Sequence, residues 1–120
     1  MFTRCWQDIL IYLNGDLVPR EKAVVSVYDS GFMMGDGIWE GLRLYNGKFG
    51  FLDQHLKRIY EAAKFMDMEI GMSPTKLASE LDRLVKARHS LESNAWALLI
   101  RRAAFSPRRT TWSMACTPVS

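Results

Sequence analysis

Two short apolar runs, Leu10–Leu13 and Leu17-Val18, flank Asn14-Gly15 and Asp16. Asn-Gly accepts the positive φ angles of a tight two-residue turn, and the flanks favour extended backbone, so the pattern predicts a β-hairpin. Pro19 closes its second arm, because proline has no N–H to give to a ladder. Ala23–Tyr28, apolar and rich in β-branched residues, reads as a further strand. Asp29–Gly37 holds three glycines, Gly31, Gly35 and Gly37, and reads as a tightly turned loop. Ile38–Tyr45, Asn46-Gly47 and Lys48–Phe51 repeat the chemistry of the first turn and predict a second hairpin.

From Leu52 the period changes. Leu52, Leu56, Ile59, Tyr60, Ala63 and Met66 fall on one stripe of an α-helix, with Asp53 in its first turn and Lys64 in its last, both favourable to the helix dipole. A second helix opens at Ser73-Pro74, an N-cap followed by proline at its preferred first position. Its stripe is Leu77, Leu81, Leu84, Val85 and Leu91. Asn94–Ile100 reads as one more strand, and no period is visible beyond Arg101. With no repeats and no linker, the fold class expected is α+β: antiparallel hairpins with two helices.

The 120 residues suit a single domain, and 48% hydrophobic with 24% charged residues excludes global disorder. The longest apolar run, Ala95–Ile100, is far short of the roughly 20 residues a membrane span needs. Met1–Asp8 holds no apolar stretch of signal-peptide length. With Cys5 and Cys116 alone, no disulfide framework or four-cysteine zinc site can form, and a reducing, cytoplasmic location is expected. The net charge of +3 is uneven. Seven of the 16 basic residues but one of the 13 acidic ones lie from Arg83 onward, which leaves the first 82 residues with a net charge of −3. A basic tail of this kind can signal nucleic acid or another anionic partner.

Candidate chemistry is sparse. His55 and Arg58 are i, i+3 neighbours off the apolar stripe of the first helix. With Gln54 and Glu61 in helical reach, Arg58 reads either as part of a solvated charge cluster or as a planar fork of donors for an anion such as phosphate. The loop Gly31–Gly37 matches no phosphate-binding fingerprint. Its Met33 and Met34, with Trp39, are either core or the lining of an apolar pocket. Alternation puts Arg43 on the face opposite Leu42 and Leu44, as an exposed charge or as a cation turned to a cleft. His55 and His89 lack any metal-ligand spacing, and no Gly-x-Ser-x-Gly elbow occurs.

The ordered set Phe32-x-x-Gly35-Asp36-Gly37, Trp39-Glu40-Gly41-Leu42-Arg43, Tyr45-Asn46-Gly47 and His55-x-x-Arg58-Ile59 resembles the N-terminal domain of class IV pyridoxal-phosphate aminotransferases. That family includes branched-chain and D-amino-acid aminotransferases and aminodeoxychorismate lyase. The resemblance runs from about Ile9 to Leu91 and implies the small N-terminal domain of a fold-type IV enzyme. It further implies pyridoxal 5′-phosphate as cofactor, an amino acid and a 2-oxo acid as small-molecule partners, and a homodimer in full-length members.

Residue by residue, Arg58 matches the arginine that holds the cofactor's 5′-phosphate. Met34, Trp39, Gly41 and Arg43 match positions that line the substrate pocket. Glu40-Gly41-Leu42-Arg43 resembles the branched-chain group, whereas Met34-Gly35-Asp36-Gly37 leans towards the D-amino-acid group. The resemblance also implies a gap: the family's cofactor-carrying lysine, and the glutamate facing the pyridine nitrogen, belong to a larger C-terminal domain. Lys22, Lys48, Lys57, Lys64, Lys76 and Lys86 lie in polar or helix-surface contexts, so the chain alone is expected to be inactive. Residues 1–95 are therefore read as the N-terminal class IV domain. Residues 96–120 are read as an atypical basic tail, with the character of a truncated or frame-shifted sequence that should pack poorly. A non-catalytic protein that binds nucleic acid through Arg101-Arg102 and Arg108-Arg109 is the competing reading, disfavoured by the absence of any module signature.

Overall fold

A computed structural model describes residues 10–87, 95–102 and 110–117. Among these residues six strands and three α-helices follow in chain order: β1 (Leu10–Leu13), β2 (Asp16–Pro19), α1 (Ser30–Met34), β3 (Gly37–Tyr45), β4 (Lys48–Phe49), α2 (Leu52–Phe65), α3 (Pro74–Lys86), β5 (Ala95–Arg102) and β6 (Thr110–Thr117). The expected α+β class holds. Both Asn-Gly turns form as the sequence predicts, with Asn14 and Gly15 at φ 52° and 108° and Asn46 and Gly47 at 48° and 76°. The strands make one sheet in the order β2-β1-β6-β5-β3-β4, and every neighbouring pair is antiparallel.

Helices α2 and α3 cover one face of this sheet. Along β3, Glu40, Leu42 and Leu44 are buried while Trp39, Gly41, Arg43 and Tyr45 are exposed, the period-2 signature of a strand with one covered face. Leu56, Ile59 and Ala63 of α2 and Leu77, Leu81, Leu84 and Val85 of α3 complete the core with Leu42, Leu44 and Tyr12. Ser73 caps α3 by accepting from the backbone N–H of Lys76 at 3.2 Å, with Pro74 at the first helical position. The Tyr60 hydroxyl donates to the Met72 carbonyl at 2.6 Å and fastens the α2–α3 connection.

Three expectations are corrected. Ala23–Tyr28 is not a strand: a 3₁₀ turn at Arg20–Lys22 follows Pro19, and Val24, Val25, Val27 and Tyr28 are exposed. Strand propensity is realised only against a pairing partner, and among the described residues no strand pairs with this segment. The expected Asp29–Gly37 loop contains the short helix α1, because Asp29 accepts from the N–H of Phe32 at 3.2 Å and Gly35 closes it at φ 69°. Regular structure does not stop at Ile100. β5 crosses the expected boundary between residues 95 and 96, and β6 pairs with it from Ala95↔Thr117 to Arg102↔Thr110. Trp112, Met114 and Cys116 alternate with Thr111, Ser113 and Ala115, which is a strand period. The expectations placed on Met1–Asp8, Cys5, His89, Leu91 and Arg108-Arg109 lie outside the described residues.

A polar cluster around the buried Glu80 and Tyr12 ties β1 to α3. Glu80 accepts from Lys76 Nζ at 2.7 Å and from Arg83 Nη1 at 3.1 Å, and it is the hydrogen-bond partner of the Tyr12 phenol. The Lys76 hydrogen bond, backed by Arg83, holds the Glu80 carboxyl below its usual range. Burial, reinforced by Glu80, pushes the Tyr12 phenol from 10.0 up to about 12. Glu80 therefore adds stability that is present above its unfolded value of 4.5 and lost as pH falls through its lower folded value. The neutral Tyr12 phenol is fully tolerated below pH 10.0, and stability declines as pH rises from there to about 12. Denaturant midpoints measured against pH should show both limbs. Tyr12→Phe should flatten the alkaline limb and Glu80→Gln should shorten the acid one; an unchanged alkaline limb in Tyr12→Phe would assign it to another group.

Candidate functional site

Strand alternation turns Glu40 towards α2, where His55 and Arg58 occupy neighbouring positions one helical turn apart. The Glu40 residue is only 6% exposed. Its Oε1 accepts from Arg58 Nε at 2.9 Å and from Nη2 at 2.6 Å, and its Oε2 accepts from Nη2 at 2.8 Å. His55 Nδ1 contacts the same Oε2. Arg58 nonetheless keeps 68% of its side chain exposed, and among the described residues no partner engages its Nη1. The neighbours expected from helical spacing are not its partners. Glu61 lies 3.9 Å from Lys57 instead, and the acid that holds Arg58 is 18 positions away on β3.

The entry to α2 fixes this geometry. Gly50 donates its N–H to the Arg43 carbonyl at 2.9 Å, so the chain turns back at once after β4. A Cβ on Gly50 would come within 3.2 Å of the Tyr45 ring, which makes glycine the fitting residue there. Phe51 then adopts the left-handed region at φ 54°, a strained conformation for a bulky side chain, and its carbonyl accepts from the N–H of His55 at 3.1 Å.

The remaining sequence-predicted residues lie elsewhere. Trp39, Gly41 and Arg43 share the exposed face of β3, opposite Leu99, Ala97 and Ala95 of β5 in register. Trp39 is 71% exposed, and a Cβ added to Gly41 would stand 3.5 Å from its ring in ordinary contact. Met34 ends α1 and is 80% exposed. The structure thus brings Trp39, Gly41 and Arg43 together on the uncovered face and puts Arg58 on the helix-covered one. Glu40 was not among the predicted site residues. Its signal was available: the alternation that turns Arg43 outward places Glu40 with Leu42 and Leu44, and an acid on a buried face demands a partner.

A cavity of about 930 Å³ opens between α2 and α3, floored by Leu56, Tyr60, Ala63, Met68, Ile70 and Ala78; none of the predicted site residues lines it. Among the described residues no cluster of three or more metal-ligating side chains occurs, and no helix is long and apolar enough to cross a membrane.

Residues 37–118 match the class IV amino-transferase family. The chain belongs to that family. A D-alanine aminotransferase of Listeria monocytogenes is 37% identical over 98 residues, covering 82% of this chain and 34% of its own length. An aminodeoxychorismate lyase of Bacillus subtilis is 34% identical over 99 residues, with the same coverage of 82% and 34%. The T.th. branched-chain amino acid aminotransferase, solved in complex with N-(5′-phosphopyridoxyl)-L-glutamate, superposes with a TM-score of 0.81 at 25% identity. That superposition covers 92% of this chain and 40% of the other. The class IV chain spans about a third of the length of the curated relatives it matches. The match runs across β5 and β6, so the strands beyond residue 95 lie within the family's own span.

The residues present fit the phosphate end of a pyridoxal phosphate. One edge of the Arg58 guanidinium is docked on Glu40 and the other is presented outward, the arrangement a phosphate oxygen needs.

Proposed function

We propose that this class IV chain supplies the N-terminal part of a pyridoxal-phosphate-dependent amino-acid aminotransferase, moving an amino group between an amino acid and a 2-oxo acid. The observation that carries the reading is the Arg58 fork, held on one edge and offered on the other. Arg58 binds the cofactor's 5′-phosphate through Nη1, a permanent cation for a dianion. Trp39 walls the substrate's apolar side chain, and Gly41 leaves room for it. Arg43 faces the same side as a cation for a substrate carboxylate, and Met34 borders the pocket. When bound, the cofactor acts as the electron sink that lets the amino group leave one carbon skeleton and join another. The lysine that carries it comes from outside the six lysines of this chain, and the uncovered face of β3 is completed by a further domain and a second subunit. Glu40-Gly41-Leu42-Arg43 favours a branched-chain donor. The 37% identity to a D-alanine aminotransferase favours a D-amino acid as the second reading.

The test is a titration of the ¹⁵N-labelled 120-residue chain with pyridoxal 5′-phosphate and, separately, with pyridoxal. Phosphate-dependent shifts centred on Arg58, His55 and the first turns of α2 are expected. Equal shifts from both compounds, or none near Arg58, would overturn the assignment.

A further inference from the structure

Three acidic residues are buried among the described ones: Asp29, Glu40 and Glu80. Asp29 caps α1, and Glu80 joins α3 to β1. Glu40 does neither. It sits beneath a guanidinium that remains mostly in solvent. Taking a carboxylate out of water is costly, and an apolar side chain on this covered face would serve stability as well or better. The arrangement around Glu40 therefore calls for a reason other than packing.

The donor inventory of Arg58 supplies one. A guanidinium carries five N–H groups: one on Nε, two on Nη2 and two on Nη1. Glu40 takes the Nε and Nη2 edge, its Oε1 accepting from both nitrogens and its Oε2 from Nη2. The Nη1 pair is left, its direction now set by the carboxylate instead of by a flexible four-bond side chain. His55 fixes the carboxylate in turn. Its Nδ1 faces both Glu40 Oε2 and, at 3.4 Å, Arg58 Nη2, and one nitrogen cannot satisfy an acceptor and a donor together. Close contact with a carboxylate oxygen requires a proton on Nδ1, so the imidazole donates to Glu40 and the 3.4 Å approach to Arg58 is a contact only.

We infer that Glu40, steadied by His55, is a positioning residue that aims the Nη1 edge of Arg58 at a phosphate. This rests on the proposed role of Arg58 and deepens it. The competing physical effect has the opposite sign. If Glu40 acted only through its charge, it would weaken an anion site, and removing that charge would tighten phosphate binding.

The experiment measures inorganic phosphate binding to the full chain by NMR, together with hydrogen exchange of the Arg58 Nε–H, in the wild type, Glu40→Gln, His55→Gln and Arg58→Gln. The inference expects a slowly exchanging Arg58 Nε–H in the wild type that becomes fast in Glu40→Gln. It also expects phosphate affinity about tenfold weaker in Glu40→Gln, the size of effect seen when an outer support of a binding group is removed. A smaller loss in the same direction is expected in His55→Gln, which also serves if Glu40→Gln does not fold. Unchanged or tighter phosphate binding in the folded Glu40→Gln or His55→Gln chain would overturn the positioning role. So would a fast Arg58 Nε–H in the wild type. Arg58→Gln separates the two levels. If it binds phosphate as the wild type does, the anion role of Arg58 fails; if it loses phosphate while Glu40→Gln gains it, the anion role stands and the positioning role fails.

Discussion

Replacing Arg58 with alanine is expected to lower the unfolding free energy by about 2 kcal/mol, well above the cost of removing an ordinary helix-surface arginine. Along the helix alone, the neighbours Gln54 and Glu61 would make the loss about 0.5 kcal/mol. The larger figure follows from Glu40, which stays on the covered face with its principal counter-charge gone. Removing one partner of a buried pair costs about 3–5 kcal/mol, and the exposure of Arg58 and the surviving His55 contact reduce this. Adding Glu40→Gln to Arg58→Ala should recover most of the loss, because the uncompensated charge goes with it. A double-mutant cycle by denaturant unfolding measures this directly. A single-mutant loss below about 0.5 kcal/mol would mean that Glu40 is solvated when Arg58 leaves.

Leu81→Ala is expected to have a larger effect on stability, about 3 kcal/mol, from lost burial and the cavity left behind. Leu81 is 1% exposed and sits on the α3 stripe with Leu77, Leu84 and Val85. A small domain has only about 5–15 kcal/mol in total, so the variant should unfold at markedly lower denaturant. The Arg58 fork rests on α2 and β3, not on α3. At temperatures where Leu81→Ala is fully folded, its phosphate affinity should therefore match the wild type. A parallel fall in affinity would show that α3 packing sets the position of α2.

The elements written in local chemistry were legible in advance. Asn14-Gly15 and Asn46-Gly47 named their turns because few dipeptides tolerate that backbone. The stripes Leu56-Ile59-Ala63 and Leu77-Leu81-Leu84 named the helices because their period matches one buried face. Ala23–Tyr28 misled because β-branched composition makes a strand only where the fold brings another strand alongside, and none pairs with this segment among the described residues. β6 was missed for the reverse reason: the basic composition around it masked the alternation of Trp112, Met114 and Cys116. Within the site, Trp39, Gly41 and Arg43 could be grouped from period 2 alone. The Glu40–Arg58 pair could not, since it forms only when α2 docks on β3 across 18 positions of chain, and no window of local spacing contains both residues.

The alternation of β3 also makes it a two-sided ruler. Its even positions 40, 42 and 44 answer to the helices, and its odd positions 39, 41 and 43 answer to whatever lies across the open face. A side chain can thus be exchanged on the odd side with the anchoring carboxylate 3.3 Å or so of strand away and directed oppositely. Inserting or deleting a single residue in the strand has no such tolerance, because it would trade the two sides at one stroke. A scaffold of this kind can drift in what it accepts while holding constant what it grips. That is a physical reason why a D-alanine aminotransferase, a lyase and a branched-chain aminotransferase can all resemble the same hundred or so residues.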